Sequence, residues 1–328
     1  MDKNNDIIKY WPVRFCFCEE GLYNTDFFNY SQDLFENEFF GPIDRKGAEA
    51  TDQLIRSTFI NVNLNVHYTA FINYMGSQYL RTPKGMYKLK KALELTGLPI
   101  TNNKIRQNTI LDMIRKLTGF YGAIWSESVW EIVSSIDSNS KFIISDTPVT
   151  IYNNFSFPGS KECITPNDPE IQWIGTQTIF PLSMEYCLIL TNKEYYKNRK
   201  TNLKKSRTNP GYFREALFSA LDIIRKRSLD DLSVIKINYI LKMRSYKYIA
   251  SNNKSDLYPE IKLKDKNWKK LGKTLLINEN LENMMGTSIV KYKNGNIRGF
   301  DYLGRNTPDS TTRYNEMQKI LLEALMNK

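Results

Sequence analysis

Asp146 follows a β-type run, Lys141-Phe142-Ile143-Ile144-Ser145, and precedes Thr147-Pro148. Its carboxylate therefore stands where a strand ends, a place where side chains commonly face a cleft. Gln78 and Arg81 lie one helical turn apart and can point at one spot, where a guanidinium can clamp a phosphate or carboxylate through two parallel hydrogen bonds. Joined by Ser145 and Ser183, and by Glu36, Asp44 or Glu49 from the acidic lead, Asp146 would hold Mg2+ or Mn2+ against a phosphodiester. That would be the chemistry of a metal-dependent nuclease, with Asp146 as metal ligand. The same residue types also have plain structural uses. An Asp before Thr-Pro caps backbone amides, Arg81 at a helix C-terminus complements the macrodipole, and Ser183 after Pro-Leu forms a turn.

A second kind of chemistry is written in the cations. Residues 193–208 hold seven Lys or Arg, among them Lys197, Arg199, Lys200, Lys204, Lys205 and Arg207, with one acid and the pair Tyr195-Tyr196. Residues 262–273 hold six lysines, including Lys269 and Lys270, with one acid, around Trp268; Lys291-Tyr292-Lys293 repeats the theme. Cations track phosphates while aromatic rings stack on bases, which is how single strands are held. Each segment taken alone also reads as a solvated basic loop.

The charge of the whole chain points the same way. The formal net charge is +11, yet residues 1–52 carry five Lys or Arg against eleven Asp or Glu, a net of −6 that leaves +17 on the remainder. An acidic lead and a basic body imply a polyanionic partner, nucleic acid first, or self-association through the lead. A Lys- and Asn-rich chain from a low-GC genome would show some of this excess without any partner.

Other chemistries are excluded by what is missing. A single histidine, His67, rules out mechanisms that need two imidazoles, and the helical pattern puts it on a packed face. There is no Gly-x4-Gly-Lys-Ser/Thr loop, no Gly-x-Gly-x-x-Gly and no Gly-x-Ser-x-Gly elbow. Glu260-Ile261-Lys262 has the Glu-x-Lys form of some nucleases, a triplet that a Lys-rich chain produces by chance. Four cysteines, with only one residue between Cys16 and Cys18, fit a reducing cytoplasm better than a disulfide or zinc scaffold. No apolar run reaches the roughly 18 residues of a membrane span, and the polar, mixed-charge first residues do not read as a secretion signal.

The elements that must position these residues follow from periodicity. Leu64, His67, Phe71, Met75 and Tyr79 recur at spacings of three and four, which predicts an amphipathic helix ending near Leu80. Thr82-Pro83 then supplies an N-cap and a first-turn proline for the next helix, with Met86, Leu89 and Leu93 inward and Gly97 and Pro99 at its end. Further helices are expected over 104–117, 125–133, 212–226, 230–250 and 313–326. Strands are expected over 141–145, 149–152, 176–180 and 186–191, and a hairpin at Asn294-Gly295. The fold class is α+β, mainly helical with a small central sheet. We expect a domain over residues 1–252, then a basic extension over 253–328 containing the hairpin and a final helix.

Several segments together carry a resemblance. They are Glu20-Gly21-Leu22-Tyr23, Gln78-Tyr79-Leu80-Arg81-Thr82-Pro83, Ile144-Ser145-Asp146-Thr147-Pro148-Val149, Phe180-Pro181-Leu182-Ser183 and the helix around Ile237-Asn238. In order and spacing the chain resembles the largely bacterial family known as domain of unknown function 4238, over about residues 7–252. The family's usual His-Tyr-x-Pro-Gln opening is replaced here by Lys9-Tyr10-Trp11-Pro12. The resemblance implies a fold and a set of polar positions, and suggests a bacterial defence or toxin setting. Three readings follow: a cytoplasmic nucleic-acid-interacting protein with or without nuclease activity, a non-catalytic protein-interaction module, and an enzyme acting on a phosphorylated small molecule or nucleotide.

Overall fold

A computed structural model describes residues 1–10, 12, 40–56, 62–96, 103–163, 167–197, 199–200, 202–207, 214–217, 223–276, 287–292, 297–301, 306–307, 315 and 319. Four helices come first: α1 (Gly41–Arg56), α2 (Val62–Leu80), α3 (Pro83–Leu95) and α4 (Asn103–Ser126). The Thr82 hydroxyl accepts the Gly85 N–H at 3.1 Å and Pro83 opens α3, as the sequence predicts. His67 is half-buried in α2.

The central sheet has five strands in the order β3-β4-β5-β1-β7: β1 (Ser128–Ser134), β3 (Thr150–Tyr152), β4 (Gln177–Pro181), β5 (Tyr186–Asn192) and β7 (Ile224–Ser228). Only β1 and β7 are parallel. Successive residues of β5 alternate between two cores. Leu188 and Leu190 join Trp130, Ile132, Ile151 and Phe180 against the first four helices. The short helix α5 (Lys193–Lys197) follows β5, and Cys187 and Ile189 join Val133, Tyr152 and Ile179 against α6 (Asp231–Arg244) and residues 254–276. The sheet is therefore covered on both faces, and the protein is α+β.

Several expected elements take other forms. Residues 128–134 are a strand, because a strand buried on both faces reads as an unbroken apolar run much like a buried helix. Within 212–226 the described residues form β6 (Arg214–Leu217) and the start of β7. The long helix expected to Ala250 stops at Arg244, and Ile249–Ala250 forms β8, paired with β2 (Ile144–Ser145). Residues 254–276 pack Leu257, Leu263, Trp268, Leu271 and Leu275 into the second core, so this part of the expected extension shares a core with the preceding domain. It includes the single-turn helices α7 (Pro259–Lys262) and α8 (Trp268–Leu271).

The expected hairpin is present: β9 (Thr287–Tyr292) pairs antiparallel with β10 (Ile297–Asp301), flanked by β6 and by β11 (Asn306–Thr307). Of the expected final helix only Asn315 and Lys319 are described, both helical; the rest lies outside the described residues, as do Cys16, Cys18 and Glu36. Among the described residues no helix is long and apolar enough to cross a membrane.

Candidate functional site

Two basic segments far apart in sequence meet on one surface, and Asn153 joins them. Its carbonyl accepts the Trp268 indole N–H at 2.9 Å, while its side-chain amide donates to the Leu203 carbonyl at 3.5 Å and to Thr176 at 3.1 Å. Tyr152 adds a hydroxyl bond to the Trp268 carbonyl at 2.7 Å. Residues 203–207 also lie along 172–175: Ile174 N–H donates to Lys205, Gly175 N–H to Leu203 and Arg207 N–H to Gln172. Gly175 is required at this crossing, since a Cβ there would stand 2.8 Å from the Leu203 Cα.

The surface so formed presents Lys200, Lys204, Lys205, Lys269 and Lys270 to solvent. Phe155 and Phe157, in the loop that follows Asn153, are 43% and 53% exposed. Lys269 Nζ lies 4.7 Å from the Phe155 ring and Lys204 Nζ 5.9 Å from the Trp173 ring. Lys204 also pairs with Glu162 at 2.5 Å, and Lys270 with Asp265 at 2.7 Å, both in solvent where such pairs exchange readily.

The aromatic partners expected from sequence are elsewhere. All three are buried, Trp268 in the second core and Tyr195 against Ile174 and Leu203, so Trp268, Tyr195 and Tyr196 do not present a ring face to solvent. The rings of the 153–176 loop that reach solvent are Phe155, Phe157 and, in part, Trp173. Arg207 is buried too; it pairs with Glu127 at 2.6 Å and bonds the Ile124 carbonyl at the end of α4. It ties α4 to the 202–207 segment and offers no charge to solvent. Arg199 is half-buried over the Tyr196 ring at 5.3 Å. The side chains of Lys197 and Lys291, and Lys293 altogether, lie outside the described residues.

The expected catalytic group does not assemble. The Asp146 carboxylate accepts three backbone N–H groups, Tyr246 at 2.8 Å, Lys247 at 2.6 Å and Tyr248 at 2.7 Å, and so holds the turn between α6 and β8. With its oxygens accepting these amides, the carboxylate acts as a structural clip. Ser145 closes a local turn with Thr147, and the Ser183 hydroxyl accepts the Glu185 and Tyr186 N–H groups. Gln78 and Arg81 do converge, on Asp44 of α1: Arg81 pairs with it at 2.6 Å and Gln78 donates at 3.4 Å. Glu49 is exposed on the same helix. Glu260 pairs with Lys242 at 2.8 Å while Lys262 reaches Ser140, so the Glu-x-Lys triplet points at two different places. Among the described residues no three His, Cys, Asp or Glu side chains lie together to hold a metal ion.

Asp168 is a different matter, and sequence reasoning did not find it. Its buried carboxylate receives Lys84 at 2.6 Å, Lys88 at 2.5 Å and the Arg244 guanidinium, and the Tyr79 hydroxyl donates to it at 3.0 Å. Burial alone would raise its pKa, but Lys84, Lys88 and Arg244 outweigh that and hold it well below the usual carboxylate range. Burial, with Arg244 and Lys88 adding repulsion, drives the Lys84 ammonium down to about 8 in spite of Asp168. Burial and the Asp168 charge push the Tyr79 hydroxyl well up. These groups come from α2, α3, the end of α6 and the 153–176 loop, and no single segment advertises the cluster.

A buried pair on the second face of the sheet was also missed. Arg227 of β7 meets Glu131 of β1 through two bonds of 2.6 Å. Burial raises the Glu131 pKa, opposed by Arg227. The one available signal was an acid inside the apolar run Val129-Trp130-Glu131-Ile132-Val133.

The profile of the family described as protein of unknown function (DUF4238) matches residues 1–255. The chain belongs to this family. No curated protein and no solved structure matches it. The DUF4238 region contains the whole Asp168 cluster and the basic segment 193–208, whereas 262–273 lies beyond it. In this DUF4238 chain the described segments that carry the resemblance are fastenings: Thr82 caps α3, Asp146 clips the α6–β8 turn, Ser183 shapes the β4–β5 turn, and Asn238 bonds both the Lys141 carbonyl and the Ile143 N–H; Glu20-Gly21-Leu22-Tyr23 lies outside the described residues.

Proposed function

We propose that this protein binds single-stranded nucleic acid, RNA or DNA, across the basic and aromatic surface joined by Asn153. The observation that carries the reading is that residues 202–205 and 268–270 are both fastened to Asn153, through Leu203 and Trp268, with Lys269 over the exposed Phe155 ring. Lysines there can follow a phosphate backbone while the phenylalanines offer ring faces to bases, a combination tolerant of sequence. The buried free thiols Cys163 and Cys187 are in keeping with a reducing cytoplasm.

The test is fluorescence anisotropy with labelled single-stranded RNA and DNA at several salt concentrations. Binding should weaken with salt, and changing Lys200, Lys204, Lys205 and Lys269 together to Gln should flatten the log–log slope by about two to three, at roughly 0.7 for each phosphate no longer neutralised. Phe155→Ala with Phe157→Ala should weaken binding by about 1–3 kcal/mol per stacked base and leave the slope unchanged. Absence of binding at low salt, or an unchanged slope in the lysine variant, would overturn the reading. Adding Mg2+ or Mn2+ and following the signal in time extends the assay to strand cleavage.

A further inference from the structure

Asp168 is outnumbered. Lys84, Lys88 and Arg244 bring three cations to one carboxylate, and the side chains of Lys84, Arg244 and Asp168 are 6%, 3% and 4% exposed. An uncompensated charge in such a place is among the most strongly disfavoured arrangements in a protein interior. Donor capacity is in excess as well. Arg244 Nε is buried without a hydrogen-bond partner among the described residues, on a guanidinium whose other end already bonds Asp168 and the Asn167 carbonyl.

One member of the cluster reaches solvent: the Lys88 side chain is 26% exposed. Lys88 Nζ also bonds the Tyr79 hydroxyl at 3.2 Å and lies 5.3 Å from its ring, so it is held in place and not swinging free. We propose that Lys84, Lys88 and Arg244 form a binding site for a tetrahedral dianion, a phosphate or phosphate monoester, which supplies the two negative charges that Asp168 leaves unmatched. Asp168 is then the fixed internal counter-ion that keeps the three cations converged while the site is empty. Two ammonium groups and a guanidinium on one centre are the donor set that phosphate oxygens take, and a monocarboxylate would balance only half of the excess. The site is independent of the nucleic-acid surface, to which none of its cations belongs.

Isothermal titration of the full chain with inorganic phosphate at pH 7, where Lys84 is still largely charged, in buffer of constant ionic strength set with chloride, tests the proposal. One saturable site per chain is expected, and sulfate should compete for it. Lys88→Met, at a partly exposed position whose loss the fold should tolerate, should weaken phosphate binding about tenfold or more, the worth of one charge-assisted hydrogen bond. The Lys200, Lys204, Lys205 and Lys269 variant should bind phosphate as the unmodified protein does. The proposal is overturned if phosphate gives no saturable heat, if natively folded Lys88→Met binds unchanged, or if the surface variant alone loses binding. The nucleic-acid reading stands or falls separately on its salt slope.

Discussion

Asp168→Asn should destabilise the protein by about 3–5 kcal/mol, because it leaves Lys84, Lys88 and Arg244 facing one another with no buried anion. Urea denaturation at pH 7 measures this directly. The pH dependence carries a second signature. A carboxylate held below its unfolded value contributes stability that is fully present above that value, about 3.9, and is lost as pH falls below it. The unmodified protein should therefore show an acid limb below pH 4 that the variant has lost in part.

The lysine works in the opposite sense. The folded Lys84 pKa, about 8, lies below its unfolded value of 10.5, so charging it opposes folding, and stability gains as pH rises between the two. Without Asp168 that pKa should fall further. The deficit of Asp168→Asn should thus be smaller at pH 9 than at pH 6, where all three cations are charged. A variant as stable as the parent at pH 6 would show that solvent, not Asp168, compensates these charges.

Asp146→Ala is expected to rank next, at about 3 kcal/mol or more. Three amide donors at 2.6–2.8 Å would lose a charged acceptor, each such bond being worth about 1.5–3 kcal/mol before solvent replaces part of it. The turn they hold sets Ile249–Ala250 against Ile144–Ser145, so loosening it detaches β8 from β2. Amide hydrogen exchange at Tyr246, Lys247 and Tyr248 should accelerate in the variant, while nucleic-acid binding measured well below its melting temperature should be unchanged. Unaltered stability together with altered binding or cleavage would return Asp146 to the role first read from its position.

Local signals were legible in proportion to how local the interaction is. Thr82-Pro83 announces α3 because cap and proline act within one turn, and Asn294-Gly295 announces the hairpin for the same reason. The spacing of Phe213, Leu217, Leu221 and Ile224 imitates a helix, but the described residues there are strands whose partners lie in β9 and β1. Propensity yields to pairing that a window of that size cannot contain. The basic segments were visible as composition, yet their meeting depends on Asn153, which sits in neither. Tyr195, Tyr196 and Trp268 were assigned to the surface because composition is blind to burial. Asp168 lay in a Pro- and Asn-rich stretch that reads as loop, and its partners are spread from Tyr79 to Arg244.

The order of the central sheet has a consequence for how the chain is made. β1 lies between β5 and β7, and its side chains are buried on both faces. Both neighbours are synthesised later, so a ribosome that has just released Ser134 leaves an apolar strand with two unsatisfied edges. At about 5–20 residues per second it waits several seconds for β5, and longer for the parallel partner that completes it. Pairings this distant in sequence close slowly. The newborn chain should therefore depend on a holding chaperone until Ser228 has emerged, and a version truncated before β7 should aggregate.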